Sequence, residues 1–445
     1  MAEKINKVQE NLEAWCSPPL EFPSKEAEQG YKERTRRIAD AILLRKPDRV
    51  PCVPMWEFFY AKYGGYTCQE AMYDAKKAEE AVVKTVTELQ PDGFQPPIFF
   101  MTGPVLEAYD SKDVLWPGHG LSKDQAHQFV EGEYMKADEY EALLNDPSDF
   151  MFRYYLPRVS GNVKALAMTA PIRNCFAYFT NFGGWAPFGT PDGLKALDII
   201  KNLSKASLEY VTWLVSVIGK LVMMGYPPWT ASLTEAPFDV VGDTLRGTKG
   251  IMLDMYRQPE VLKEACEKVV GIMADYTIAS AQAAGNHPIV FVPLHKGTAA
   301  TRDGKGGFMS LDQFQEFYWP TLRKLMLILI DNGFVPNLLI EGDYTSRLDI
   351  IKDVPPGTCI YHFEHIDIHK AKKVLGERVC IRGCVPIHLM TLGIPDEVRA
   401  AAKEQIDVLG EGGGYIMDTT MASEQVKPEN MKALIDFTKE YGVYK

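Results

Sequence analysis

Short apolar segments alternate with longer amphipathic segments along the second half of the chain. The short segments have the length of strands, and the longer ones repeat their apolar positions with helical spacing. Strands are predicted at Pro288–Pro293, Pro336–Ile340, Thr358–Phe363, Val379–Arg382 and Tyr415–Met417. Helices are predicted at Pro259–Ala284, Leu311–Asn332, Ser346–Lys352, Ile368–Leu375, Pro395–Leu409 and Pro428–Tyr441. This alternation indicates parallel βαβ units, in which each helix crosses back over a sheet.

The first half shows the same alternation less regularly. It contains predicted strands at Val50–Trp56 and Gly93–Phe100, a predicted helix at Ala71–Leu89, and one long or two short helices over Leu194–Met224. The stretch from about 105 to 157 is irregular and indicates an insertion. No glycine-rich phosphate turn follows the first strand, and the glycine-rich stretch 304–307 does not open a helix after a strand. The pattern therefore predicts an α/β fold of the closed (β/α)8 TIM-barrel class rather than an open sheet.

Composition narrows the class of protein further. Of the 445 residues, 46 % are hydrophobic and 24 % charged, which suits a large packed core. The net charge of -11 argues against a nucleic-acid partner, because such proteins need a basic surface. Residues 1–35 are predicted to form an N-terminal helical extension, and residues 36–445 the barrel. No apolar run reaches the roughly 18 to 20 residues that span a bilayer, and the N-terminus lacks the apolar core of a signal peptide. We therefore expect a cytoplasmic protein with no membrane partner.

Polar side chains follow five successive predicted strands. In a barrel of this class the carboxyl ends of the strands meet at one rim, where catalytic groups lie. The metal-capable or titratable residues at these ends include His295, Lys296, Glu341, Asp343, His362, Cys384 and Asp418. A carboxylate, an imidazole and a thiol are ligand types of zinc, and three protein ligands leave a position open for catalysis. Glu341, His362 and Cys384 are therefore predicted to bind a metal ion, zinc.

The remaining polar residues at the rim are assigned to catalysis and substrate binding. Asp343, His295 and Asp418 are predicted to orient the substrate or to move a proton. Trp56 and Glu57 at the end of the first strand, together with Lys296, are predicted to bind substrate. Structural roles compete with these assignments, since a histidine can pack inside a barrel and a free cysteine is often an inert core residue.

Three segments resemble the uroporphyrinogen decarboxylase superfamily. They are Glu235–Gly242 with the helical stretch after it, Met309–Pro320, and the run from His369 to Pro386. The resemblance covers nearly everything from about residue 36 to residue 441. It implies a (β/α)8 barrel, in agreement with the alternation of strands and helices.

Two branches of this superfamily have different chemistry. The decarboxylases carry an arginine-rich motif after the first strand, but the matching residues 56–66 contain no arginine. A tetrapyrrole with many carboxylates needs such cations for pairing. The other branch holds zinc-dependent methyltransferases, whose ligands are a His-x-Cys pair and a later cysteine. Here those positions read Leu339-Ile340-Glu341 and Thr420, so the thiolate-rich set is missing.

The resemblance therefore implies a methyltransferase with a harder set of zinc ligands. It would move a methyl group from a small methylated or methoxylated donor to the cobalamin of a corrinoid partner protein. Zinc would act as a Lewis acid on the heteroatom of the donor. A metal-independent decarboxylase or lyase that uses Asp343 and His295 is the alternative, and a non-catalytic binding barrel is a third hypothesis. A homodimer is implied by the family alone.

Overall fold

The centre of the molecule is a parallel β-sheet whose strands follow one another in space as they do in the chain. The computed structural model describes residues 2–173, 179–299, 307–420 and 424–445, so most of the stretch 304–307 lies outside the described residues. We number the barrel strands in chain order. The strands β1 and β2 are short segments at residues 50–53 and 92–95, and β3 to β8 are Ser232–Leu233, Ile289–Leu294, Val335–Asp343, Ile360–His365, Cys380–Arg382 and Tyr415–Ile416.

The first and last strands pair with each other. Cys52 of β1 forms a parallel bridge with Met417, which directly follows β8. Val53 N donates to Met417 O at 3.0 Å, and Met417 N donates to Pro51 O at 2.8 Å. These bonds join β1 to the segment that directly follows β8.

The second strand completes the ring. Asp92 N donates to Cys52 O at 2.9 Å, which attaches β2 to β1. On the other side of β2, Phe94 bridges in parallel to Pro228, and Trp229 N donates to Phe94 O at 2.7 Å. The chain then enters β3, so the described strands form a closed ring. The predicted (β/α)8 TIM-barrel class is confirmed.

Helices surround this ring. The α-helices are Ala2–Cys16, Lys25–Ile42, Phe59–Gly64, Cys68–Tyr73, Ala75–Leu89, Gly103–Tyr109, Tyr140–Asn145, Pro147–Phe150, Leu156–Val159, Pro191–Met223, Pro237–Asp239, Gly247–Arg257, Pro259–Ala283, Leu311–Gln313, Trp319–Asp331, Leu348–Ile351, Ile368–Leu375, Ile387–Thr391, Pro395–Leu409 and Pro428–Tyr441. Segments of π-helix lie at Met151–Tyr155, Val240–Arg246 and Phe314–Tyr318, and 3-10 segments at Lys164–Met168 and Phe179–Gly189. The predicted insertion holds a small sheet of Val114–Pro117, Gly120–Leu121 and Gln128–Phe129.

Side chains from distant strands meet inside the barrel. Met55, just after β1, forms a buried cluster with Phe291 of β4 and Leu339 of β5. Near them, a buried ion pair joins Arg382 to Asp418 at 2.8 Å, with side-chain exposures of 1 % and 0 %. The Arg382 guanidinium stacks 4.3 Å above the Trp229 ring, on the opposite wall. The interior is therefore packed, as is usual for barrels of this class.

The N-terminal extension covers the end of the barrel where the strands begin. Asn11 Nδ2 donates to Gly333 O at 3.1 Å, just before β5. The Trp15 ring lies edge-on to His287, just before β4, with 5.2 Å between the ring centroids. The second helix, Lys25–Ile42, runs through the predicted boundary at residue 35, so the extension and the barrel share it. The extension thus lies opposite the predicted rim.

Among the described helices, one is long and apolar enough to cross a membrane, judged by length and composition alone. It is Pro191–Met223, and 17 % of its most apolar window is buried. It corresponds to the helical stretch predicted over Leu194–Met224 and continues without a break. Tyr210 Oη donates to Ile98 O at 2.8 Å, and Val217 and Leu221 are fully buried. We call it the long helix; these contacts hold it against the side of the barrel.

His287 makes the stability of the fold sensitive to acid. Its Nε2 bonds to Pro228 O at 3.0 Å, and Ile289 N donates to its Nδ1 at 3.3 Å, which fits the neutral ring. Burial lowers the pKa of His287 to about 4. Because the unfolded chain binds this proton from about pH 6.5 downward, stability should fall between about pH 6.5 and about pH 4.

We therefore expect His287 to account for about 2 kcal/mol of the unfolding free energy lost between about pH 7.5 and about pH 5. Urea unfolding of wild type and His287→Gln at both pH values measures this difference. His388→Gln, which replaces an exposed histidine, serves as the control. It should lose as much unfolding free energy between the two pH values as wild type does. Equal pH dependence in wild type and His287→Gln would contradict the assignment.

Candidate active site

A group of two carboxylates and one imidazole lies at the rim of the barrel. Asp239, Asp243 and His295 each bring one donor atom to within 4.8 Å of the others. In the described part of the chain, no other three or more His, Cys, Asp or Glu side chains meet this closely. Asp239 is fully buried, whereas Asp243 and His295 are partly exposed. We call these three residues the rim triad.

The two aspartates come from the segment after β3. Pro237 begins a helical turn, a position that suits proline, and the turn continues into the π-helical segment Val240–Arg246. Asp243 lies four positions after Asp239, so both lie on one side of this turn. Short π-helical segments are frequent at functional sites.

Asp239 holds the end of β4 in place. Its carboxylate accepts hydrogen bonds from His295 N at 2.9 Å and Lys296 N at 3.0 Å. Tyr318 Oη donates to the same carboxylate at 2.6 Å. These three bonds fix the backbone from which the His295 side chain projects.

Asp243 is shared by two cationic partners. Its Oδ2 lies 2.8 Å from His295 Nδ1, and its Oδ1 lies 2.5 Å from Lys296 Nζ. Lys296 also donates to Thr248 Oγ1 at 3.0 Å. Gly242 leaves room for this lysine, because a Cβ there would lie 2.8 Å from Lys296 Cε. On the far side of the imidazole, His295 Nε2 lies 3.7 Å from Glu341 Oε1.

The electrostatics of the rim favour a cation. Burial by itself lowers the pKa of His295, but the hydrogen bond to Asp243 and the charges of Asp239 and Glu341 outweigh it and raise the pKa to about 9. Burial, with the charge of Asp243, raises the pKa of Asp239 to about 6. Burial likewise raises the pKa values of Glu235 and Glu341. Acids thus outnumber bases here, and their crowding favours any bound positive charge.

Glu57 lies at the same rim, after β1. Burial, and then the charges of Glu424 and Glu341, raise its pKa to about 7. Its backbone adopts φ = 27°, a left-handed conformation that is uncommon outside glycine. The position predicted for substrate binding is therefore an acid that can gain or lose a proton near neutrality.

The three predicted zinc ligands do not meet in one group. Glu341 lies beside His295, as described above. His362 is fully buried; its Nε2 donates to Thr419 O at 2.6 Å, and burial lowers its pKa well below the usual value. Burial raises the pKa of the Cys384 thiol to about 12, so this thiol keeps its proton at neutral pH. Their assignment as ligands stays a prediction, and the rim triad is the better-formed donor group.

The predicted catalytic residues occupy three different environments. His295 belongs to the rim triad. Asp343 accepts a hydrogen bond from Thr345 N at 2.8 Å and shapes the loop after β5. Asp418 is fully buried, pairs with Arg382 and accepts a bond from Met55 N at 3.0 Å. Asp418 therefore ties the last strand to the end of β1, at a distance from solvent.

The predicted substrate-binding residues also differ in exposure. Trp56 is fully buried, and its ring lies 5.3 Å from Tyr60 and 6.1 Å from Phe59, so it packs in the core. Lys296 is 7 % exposed and is engaged by Asp243. Of these predicted residues, Glu57 is the more accessible one at the rim.

Sequence analysis missed Asp239 and Asp243 as candidate site residues. Asp239 lies within Glu235–Gly242, a segment that served only to support the family resemblance. The signal was present: two acids four positions apart follow a helix-starting proline. Such spacing places both carboxylates on one face of a helix at the rim.

Comparison with known proteins identifies a family. The family described as Uroporphyrinogen decarboxylase (URO-D) matches residues 185–441. A protein named uroporphyrinogen decarboxylase from Chlorobium luteolum is 24 % identical over 191 residues, which cover 42 % of this chain and 51 % of the relative. Its namesake from Methylococcus capsulatus is 23 % identical over 250 residues, covering 54 % and 66 %. The chain thus spans about half the length of the first curated relatives it matches.

A solved structure shares the fold over nearly the whole chain. The structure titled "methyltransferase from Methanosarcina mazei" superposes with a TM-score of 0.59. The match covers 92 % of this chain and 98 % of that one, at 16 % sequence identity. At this identity the likeness establishes the barrel fold.

Proposed function

The chain belongs to the uroporphyrinogen decarboxylase family, and from that premise we propose that it is a zinc-dependent methyltransferase. It transfers a methyl group from a small methylated or methoxylated donor to a corrinoid protein in the cytoplasm. The observation that carries this proposal is the rim triad, a carboxylate and imidazole donor group in an acidic surrounding. The shared fold with a protein titled methyltransferase supports it.

The rim triad suits zinc in chemistry and in charge. Zinc binds imidazole nitrogen and carboxylate oxygen, and catalytic sites combine three such ligands with an open position. Asp239, Asp243 and His295 would hold the ion, and Glu341 lies next to His295 at 3.7 Å. When bound, zinc supplies Lewis-acid polarisation of the donor heteroatom, which makes that atom a better leaving group.

The residues of the chain perform the remaining tasks. Asp239 fixes the backbone of His295, and the Asp243 carboxylate lies beside its Nδ1. Glu57 is suited to give a proton to the departing heteroatom, because its pKa of about 7 matches a general acid near neutral pH. Asp343 shapes the loop after β5, next to Glu341.

The charge of the rim argues against a polycarboxylate substrate. Its two cationic groups, His295 and Lys296, are both engaged by Asp243. Arg382 is buried and paired with Asp418. The groups left to contact a ligand at the described rim are therefore carboxylates, which favour neutral or cationic methyl donors over donors that carry carboxylates.

A decarboxylase or lyase is the second candidate. The names of the curated relatives favour it, as each of those reported above is called uroporphyrinogen decarboxylase. In that reaction His295 and Asp343 would serve as acid and base, and neither zinc nor a corrinoid would be needed.

A methyl-transfer assay separates the two candidates. Purified protein is incubated with cob(I)alamin and a panel of methoxylated aromatics and methylated amines, and methylation of the cobalamin is followed by absorbance. We expect transfer by zinc-loaded protein, loss of transfer after treatment with a chelator, and recovery with zinc but not with magnesium. Turnover that is insensitive to the chelator, or release of CO2 from a carboxylated substrate without cobalamin, would overturn the proposal.

A further inference from the structure

A second cavity lies on the side of the barrel, away from the rim triad. Its volume is about 1280 Å³. It lies between the long helix and helix Pro259–Ala283, over residues 228–233, which lead into and include β3. Trp15 and its neighbours in the N-terminal extension bound one end of it. This volume exceeds the roughly 300–1,000 Å³ of typical ligand pockets. Asp239, Asp243 and His295 are absent from its described lining.

The lining of this side cavity is uncharged. Among the described residues that form it there is no Asp, Glu, Lys or Arg, although 24 % of the chain is charged. His287 lies at its base and is neutral around pH 7, because burial lowers its pKa to about 4. Since a charged ligand would find no counter-charge here, the lining selects uncharged molecules.

The walls of the side cavity are largely apolar. The long helix contributes one face with helical spacing, formed by Leu214, Val215, Ile218, Gly219 and Val222. Tyr276 from helix Pro259–Ala283 lies on the other side, and Phe291 of β4 forms part of the inner wall. Val215 is 63 % exposed and Tyr276 62 %, so the cavity opens to the surface between the helices.

Two residues of the lining, Gln95 and Trp15, each have a buried polar side-chain atom without a hydrogen-bond partner in the described chain. Gln95, at the end of β2, is 4 % exposed, and within the described chain its Oε1 accepts no hydrogen bond. The same residue also lines a small pocket beside Glu57. A ligand with a hydroxyl or amide N–H group at its inner end could satisfy this oxygen.

We propose that the side cavity binds a neutral, largely apolar small molecule that carries a hydrogen-bond donor for Gln95. Burial of the ligand against Leu214, Ile218 and Phe291 would supply the affinity, and the donor would set its orientation. Because the cavity and the rim triad have different lining chemistry, this binding does not depend on the metal or on methyl transfer.

Gly219 offers a way to fill the cavity without disturbing the fold. A Cβ at this position meets nothing within 4 Å, and the neighbouring residues of its helix face line the cavity. Replacing a glycine inside a helix also favours the helical conformation. Gly271, on helix Pro259–Ala283, is exposed, also has open space around its Cβ and is not among the lining residues.

The probe is 2-naphthol, a neutral aromatic molecule with one hydroxyl group, titrated into full-length protein by calorimetry. We expect saturable binding to wild type, and affinity reduced by about tenfold or more in Gly219→Trp. Gly219→Ala and Gly271→Trp should bind like wild type. Gln95→Leu should remove the preference for 2-naphthol over naphthalene.

Two results would overturn the proposal. They are the absence of saturable binding to wild type and unchanged binding in Gly219→Trp. Repeating the titration with His295→Ala separates this inference from the proposed function, because loss of the rim triad should leave 2-naphthol binding unchanged. A variant that loses methyl transfer and still binds 2-naphthol supports two separate sites.

Discussion

Replacing His295 by alanine is expected to reduce bound zinc from about one ion per chain to a small fraction and to slow methyl transfer roughly a thousandfold. His295 is the nitrogen donor of the rim triad and lies between Asp243 and Glu341. Its loss leaves carboxylates alone, which suit magnesium or calcium better than zinc. Loss of Lewis-acid assistance removes several kcal/mol of transition-state stabilisation, which accounts for the expected decrease. Metal analysis and the cobalamin assay measure both effects.

A matched histidine variant tests whether this effect is specific. His365 is 66 % exposed and lies 3.6 Å from Glu364 at the end of β6, close to the rim but outside the triad. His365→Ala should keep zinc and activity near the wild-type level. If His295→Ala retains stoichiometric zinc while His362→Ala or Cys384→Ala loses it, the ligands predicted from sequence are correct and the rim triad is not the metal site.

Replacing Arg382 by methionine is expected to lower the free energy of unfolding by about 3–5 kcal/mol. The change leaves Asp418 buried inside the barrel without its counter-charge, and also removes the guanidinium stacked on Trp229. Burial already raises the pKa of Asp418 to about 6 in spite of Arg382. Without the arginine, ionised Asp418 becomes still less favourable. Urea unfolding at neutral pH measures the loss.

Two further variants show whether the buried charge is the cause. Arg399 pairs with Asp396 at 2.5 Å on the surface, with exposures of 46 % and 84 %, so Arg399→Met should cost less than about 1 kcal/mol. Arg382→Met combined with Asp418→Asn should recover part of the stability, because no unpaired charge remains. Equal losses in the two single arginine variants would show that the pair is not important for stability.

The architecture of the barrel was predictable because it rests on periodicity. The helix predicted at Pro259–Ala284 is observed at Pro259–Ala283, and the strand predicted at Pro288–Pro293 is observed at Ile289–Leu294. Alternation of short apolar and long amphipathic segments determines which residues face the core, and this information is local. It also placed His295 and Glu341 correctly at the ends of their strands.

The composition of the site was harder to predict, since it depends on how far each side chain lies from the rim. His362 does follow the strand pattern, but it points to Thr419 in the closed interior rather than to solvent. Asp243 meets His295 because a turn after β3 folds over the end of β4. Contacts between side chains on different loops leave no periodic trace in a single sequence.

The closure of the barrel has a consequence for the kinetics of folding. The bond from Met55 N to Asp418 joins residues 363 positions apart, and one edge of β1 stays unpaired until the chain near β8 has been made. Contacts of such long separation slow folding, and an unpaired strand edge promotes association between chains. We expect nascent chains that stop before residue 415 to accumulate as aggregates on the ribosome or in the cell, and not as shortened barrels.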